Sequence, residues 1–157
     1  MRFDADPYPV VVDGTVQWVL DAYTTSDRYP YAQQANVDQL TPGSGLNSTF
    51  NYVRNSVKVV VDAFTGDVTF YMVDDKDPII RAWANAFPDL FTDVSDAPAD
   101  LVSHFRYPED LFRVQTNVYG RYQFDDATLF FNRDAAWSVA QAPPTKSEEH
   151  TSELQSH

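Results

Sequence analysis

Cysteine is absent from all 157 residues, and that one gap removes disulfides, thiolate metal sites and thiol nucleophiles. Glycine is scarce, with five residues, and none builds a phosphate-cradling loop; no cofactor is expected. Histidine is scarcer, and two of the three, His150 and His157, fall in the terminal stretch; His104 alone remains as a neutral-pH proton shuttle. Lys and Arg number 11 against 23 Asp and Glu, a formal net charge of -12. Nucleic acid and anionic lipid surfaces both demand clustered cations, so neither partner suits this chain. Long hydrophobic runs are missing as well, since apolar runs last a few residues where a bilayer-spanning helix needs roughly 20. Met1-Arg2-Phe3-Asp4, followed by Asp6-Pro7-Tyr8-Pro9, has no apolar leader core, so neither a signal peptide nor an anchor is expected within these residues.

Aromatic residues are plentiful: three Trp, eleven Phe and nine Tyr supply ample surface for a core. A single domain is the expectation at this length, over residues 1–142. Ser147 to His157, SEEHTSELQSH, follows Pro143-Pro144, has no apolar periodicity and resembles the in-frame translation of a sequencing adapter. Residues 143–157 are therefore set aside as a non-native or disordered tail.

Thr15 to Ala22 alternates, with Val16, Trp18, Leu20 and Ala22 on one face and Thr15, Gln17, Val19 and Asp21 on the other, the period of a half-buried strand. Val10-Val11-Val12 is its partner across Asp13-Gly14, a pair that tolerates the positive φ of a type I′ turn. Ser56 to Ala63 and Asp67 to Val73 predict a second hairpin, with Val57, Val59 and Val61 opposite Val68, Phe70 and Met72. Between the hairpins, Tyr23 to Phe50 has no sustained period and reads as a long irregular connection, the kind of loop that often carries function.

Asp77-Pro78 predicts a helix start, with Ile79, Ile80, Trp83 and Phe87 as its stripe and Pro88 as its end. A second helix is expected over Ala99 to Phe105. A third runs from Pro108 to about Tyr122, with Leu111, Val114, Val118 and Tyr122 at helical spacing and Glu109 and Asp110 at the positive end of its dipole. Leu129-Phe130-Phe131 and Trp137 are expected to pack back on the core. The fold class is α+β: two β-hairpins in a small antiparallel sheet, followed by about three packed helices.

Candidate chemistry is thin. Asp74, Asp75 and Asp77 crowd one junction, and with His104 they form the only grouping that suits a hydrolase or a divalent-metal site; otherwise they read as a helix cap with solvated acids. No serine stands in a G-x-S-x-G elbow. Tyr23, Tyr29, Tyr31 and Tyr52 gather around the long loop, and their amphipathic rings suit docking to proteins or sugars.

Several blocks of residues occur in a recognisable order. They are Pro9 to Gly14, Trp18 to Ser26 and Arg28 to Tyr31, then NYVRNSVKVVVDAFTGDVTFYMVDDKDPIIRAWANAFPDLF at Asn51 to Phe91, HFRYPEDLF at His104 to Phe112, and Phe131 to Asp134 with Trp137. Together they resemble the uncharacterised protein family 0182, a family of bacterial multi-pass membrane proteins. The resemblance implies a fragment of the extracytoplasmic region at the cell membrane, lying after a group of transmembrane helices. It implies as partners the segments of the parent protein outside this chain, and envelope protein or polymer. It brings no catalytic or ligand residues with it, so a binding or structural module is expected rather than an enzyme. Tyr122-Gln123 departs from relatives that carry Tyr-His there.

Overall fold

The computed structural model describes residues 1–35, 37–38, 40 and 43–132. Their elements run β1 (Arg2–Phe3), β2 (Tyr8–Val12), β3 (Thr15–Ser26), β4 (Tyr52–Asp62), β5 (Val68–Met72), α1 (Pro78–Ala86) and β6 (Phe91–Asp93). A 3₁₀ turn at Val94–Asp96 and three helices follow, α2 (Ala99–Ser103), α3 (Glu109–Tyr122) and α4 (Ala127–Asn132). The class is α+β, as expected.

Both hairpins form where local chemistry places them. Asp13 and Gly14 take φ of 47° and 78°, the double positive φ of a type I′ turn, and set Val12 opposite Thr15. In the second hairpin Val57, Val59 and Val61 face Met72, Phe70 and Val68. The Asp62 carboxylate accepts the backbone N–H of Phe64 and of Thr65, each at 2.8 Å, which closes that turn.

The sheet is larger than two hairpins. Its order is β1-β3-β4-β5-β6, with β2 also paired to β3, and β6 lies parallel to β5 after the α1 crossover. The sheet is thus mixed rather than antiparallel throughout. Strands of two and three residues are too short to show a period, which is why β1 and β6 escape the sequence.

Central placement makes β3 bury both faces, not one. Val19 and Asp21, assigned by alternation to the polar face, are 0% and 3% exposed, whereas Val16 and Trp18 on the apolar face are 46% and 43% exposed. Val19 packs with Tyr8, Val10, Val12, Val60 and Leu101 of α2. On the opposite face Ala22, Val57 and Val59 pack against Ile80 of α1.

The long connection starts later than expected, because β3 continues through Ser26 to pair with Tyr52. It is held at several points: Ala35 donates to the Phe50 carbonyl at 2.8 Å, and Gly45 to the Phe3 carbonyl at 3.0 Å. A Cβ at Gly45 would sit 2.3 Å from that carbonyl oxygen, so only glycine permits the approach. Leu46 and Phe50 of this loop are buried with Tyr23, Leu111 and Val114.

Toward the end of the chain the sequence expectation is corrected. Leu129, Phe130 and Phe131 form α4 and stand exposed instead of packing on the core, and Val118 and Tyr122 are exposed where α3 runs past the sheet. Trp137 and residues 143–157 lie outside the described residues.

One ion pair is sealed inside this framework. Lys58 Nζ meets the Asp21 carboxylate with both side chains about nineteen-twentieths buried, and donates to the Arg106 carbonyl at 2.6 Å. Burial pushes the Asp21 carboxyl up despite the adjacent ammonium. Breaking such a pair from one side strands a charge, so Lys58→Met is expected to cost about 3–5 kcal/mol, and Lys58→Met with Asp21→Leu to recover most of that loss. Denaturant unfolding of the two variants checks this.

Candidate functional site

Asp77 is where the sequence most strongly suggested chemistry, and the structure shows what its carboxylate does. It caps α1 by accepting Ile79 N–H at 3.0 Å, with Pro78 at the first helical position. Three hydroxyls complete its shell: Tyr52 donates at 2.7 Å and Ser56 at 2.5 Å, and Thr24 donates to the same oxygen as Ser56. Ser56 reaches it because the β3–β4 register shifts between Ala22 and Tyr23, pairing Val57 and Asn55 but leaving Ser56 without a partner residue. A bulge of this kind re-aims a side chain out of the regular alternation. The Asp77 side chain is fully buried. Burial alone would raise its carboxyl, but the hydroxyls of Ser56, Thr24 and Tyr52 and the Ile79 N–H outweigh it and hold it below the usual carboxylate range. Burial and donation to Asp77 push the Tyr52 hydroxyl up to about 12.

The other members of the acidic grouping do not join it. Asp74 pairs with Arg54 at 3.1 Å and accepts Lys76 N–H, while Asp75 is exposed. His104 ends α2, with its backbone N–H on the Leu101 carbonyl and its exposed ring 3.7 Å from Asp100 one turn earlier. Among the described residues no group of three His, Cys, Asp or Glu side chains could hold a metal ion.

The four tyrosines separate into inner and outer sets. Tyr23 lies in β3, wholly buried, and its hydroxyl donates to Asp4. It is therefore not part of a loop surface. Burial and the Asp4 contact push that hydroxyl well above the ordinary tyrosine range. Tyr52 opens β4 and stacks on Tyr29, centroids 5.7 Å apart and planes inclined by 19°. The Tyr29 backbone is clamped by Asn51, whose amide accepts from Tyr29 N at 2.9 Å and donates to Tyr29 O at 2.8 Å. Tyr31, two residues on, is fully exposed with φ of 59°, a left-handed conformation that a bulky residue rarely adopts.

A second buried polar group was not legible in sequence. Asp4 also accepts Asp6 N–H at 3.1 Å and Asp110 N–H at 3.4 Å, and Ser44 donates to the fully buried Asp110 carboxylate at 2.5 Å. These residues meet across separations of up to 106 positions, for which local pattern offers no signal. They fasten the start of the sheet and the long loop to α3.

An open groove of about 500 Å³ lies between the start of β4 and the segment leading into α3, lined by Arg54, Asn55, Asp74, Phe105, Arg106 and Tyr107 among others. Arg106 places its guanidinium 4.6 Å from the Tyr8 ring centroid. The groove continues into an apolar trough of about 440 Å³ bordered by Val53, Leu111, Val114, Val118, Tyr119 and Tyr122. Neither holds a nucleophile beside a base.

Asp77 is thus a structural joint, and its removal should read as lost stability. Asp77→Ala removes a cap and takes the acceptor from the buried Thr24 and Ser56 hydroxyls and the half-buried Tyr52 hydroxyl, at a cost of about 3 kcal/mol by denaturant unfolding. Because the folded carboxyl titrates below its unfolded value near 3.8, its stabilisation is full above that pH and is lost as pH falls through the folded value. Asp77→Asn should therefore flatten the acid limb of the stability curve. Millimolar Ca²⁺, Mg²⁺ or Zn²⁺ should leave the melting temperature unchanged; a saturable rise abolished by Asp75→Asn with Asp77→Asn would contradict this reading.

Comparison with known proteins adds kinship. A protein from Methanospirillum hungatei described as a UPF0182 protein is 50% identical over 139 residues, covering 88% of this chain and 15% of its own length. A UPF0182 protein of Micrococcus luteus is 48% identical over 95% of this chain and 15% of its own length, and one of Clostridium kluyveri is 45% identical over 90% and 14%. The chain therefore spans about 15% of the length of these relatives. No solved structure matches it. No described helix is long and apolar enough to cross a membrane. The family model for the uncharacterised protein family UPF0182 matches residues 1–155, reaching into the adapter-like stretch, and the chain belongs to that family.

Proposed function

We propose that this segment is a non-enzymatic contact module in the extracytoplasmic part of a multi-pass membrane protein. Its partners would be envelope protein or polymer, met through the β3–β4 loop around Tyr29 and Tyr31. The observation that carries the proposal is Tyr31: a bulky ring held fully in solvent by a strained, left-handed backbone. Strain of this kind costs about 1–3 kcal/mol and persists where surrounding structure over-determines it, commonly at functional positions. Tyr31 contributes no burial in return. Beside it, Tyr29 stacked on Tyr52 adds a half-exposed aromatic face anchored through Tyr52 to the buried Asp77.

The polar groups support the same reading. Asp77 and Asp110 are spent on buried hydrogen bonds, Asp21 on Lys58, and the exposed His104 lies beside Asp100. A catalytic acid or base has to reach a substrate proton, and the buried carboxylates are closed to one.

Replacing Tyr31 by glycine separates contact from stability. Tyr31→Gly in the full-length polypeptide should leave the fold as stable or up to about 1 kcal/mol more stable, because glycine relieves the left-handed strain. It should also lose the partners cross-linked to the native protein. An unchanged set of cross-linked partners would sink the proposal.

A further inference from the structure

One face of the sheet is only half covered, and the register shows where the cover stops. Ala22, Val57 and Met72 lie side by side across β3, β4 and β5, and the first two are fully buried beneath Ile80 of α1. In the next row Val59 is still buried, while Leu20 and Phe70 are half buried. One row further, Pro9, Trp18, Val61 and Val68 run across four strands, with Trp18 43% and Val68 50% exposed. Beyond them Val11 pairs with Val16, both exposed. Asp93 of β6 ends the Ala22 row, but no charged side chain stands in the Leu20, Trp18 and Val16 rows, in a chain whose residues are 22% charged. The α1 stripe continues outward too, from Ile80 to Trp83 stacked on Phe87 at 5.7 Å, both nearly half exposed.

A solvated sheet face would carry polar residues at these positions. This one does not, and contiguous apolar patches on a soluble surface mark contacts. Three inter-strand spacings of about 4.8 Å make the bare strip roughly 14 Å across at the Trp18 row, and the Val11–Val16 pair extends it to about 10 Å along β2 and β3. That footprint is far below the roughly 800 Å² per partner that a stable two-copy interface buries. It does match a helix of about ten residues, roughly 15 Å long and 10 Å wide. α1 already shows a helix seated on the covered half of the same face.

We propose that the bare rows seat an amphipathic helix from the part of the longer polypeptide outside this segment. The relatives carry about 85% of their length beyond the matched region, ample to supply it. The proposal rests on the reading of this segment as a module within a larger protein, and it names the surface by which the module is built in. Val16 and Trp18 lie under that helix; Phe64, at the tip of the β4–β5 turn and 94% exposed, lies outside it.

The test uses the full-length polypeptide with any other cysteines replaced, carrying Val16→Cys or Phe64→Cys. With a maleimide probe, Val16→Cys should react at least about tenfold more slowly than Phe64→Cys, at any protein concentration. Benzoylphenylalanine in place of Trp18 should cross-link, on irradiation, to the same polypeptide outside residues 1–157, at sites three or four residues apart. Equal labelling rates would overturn the proposal, as would protection lost on dilution or cross-links to a second copy, since copies would then cover each other. A bare Val16 together with partners still lost in Tyr31→Gly would remove the helix alone and leave the contact-module reading standing.

Discussion

The Asp77 carboxylate is the joint on which the architecture turns. It accepts from Thr24 on β3, from Tyr52 and Ser56 on β4 and from the first turn of α1, so one residue ties the two central strands to the helix that crosses back to β6. A buried carboxylate is tolerable only when its lone pairs are filled, and here donors reach both oxygens. The Ser56 bulge is part of the same arrangement, because without the register shift a strand hydroxyl would not lie beside Thr24.

The opposite layer solves its own charge problem differently. Asp21 and Lys58 meet inside the sheet's other face, where the ammonium also takes the Arg106 carbonyl and lies 5.6 Å from the Phe105 ring centroid. Asp4 and Asp110 link the first strand to α3 through Tyr23 and Ser44. An acidic chain has thus turned four of its carboxylates, Asp4, Asp21, Asp77 and Asp110, into internal fasteners.

Much of the fold was readable from local pattern. The Asp13-Gly14 turn and the Asp77-Pro78 helix start are decided by residues within a few positions of one another, and the Val57 to Met72 pairing by the turn that joins two alternating strands. The candidate site was readable only in part. Asp77 could be picked out by its place before Pro78, but Thr24 and Ser56 carry no mark in sequence that they complete its shell. Tyr23 looked like a loop ring because the period fades there, whereas β3 continues and buries it. His104 and Asp75 were grouped with Asp77 by residue type, and the fold leaves both exposed.

What the sequence by itself determined is whatever short-range sterics and periodicity decide: the α+β class, both hairpin turns, the cap of α1, and the exclusion of thiol chemistry by the missing cysteines. Tertiary structure alone decided which residues on each face of β3 are buried, which carboxylates are sealed, and where apolar rows are left bare. Those outcomes depend on contacts between residues as far apart as Asp4 and Asp110, and on which helix covers which face. Alternation shows that a strand has two faces; only the layers packed against it decide how much of each face is kept from water.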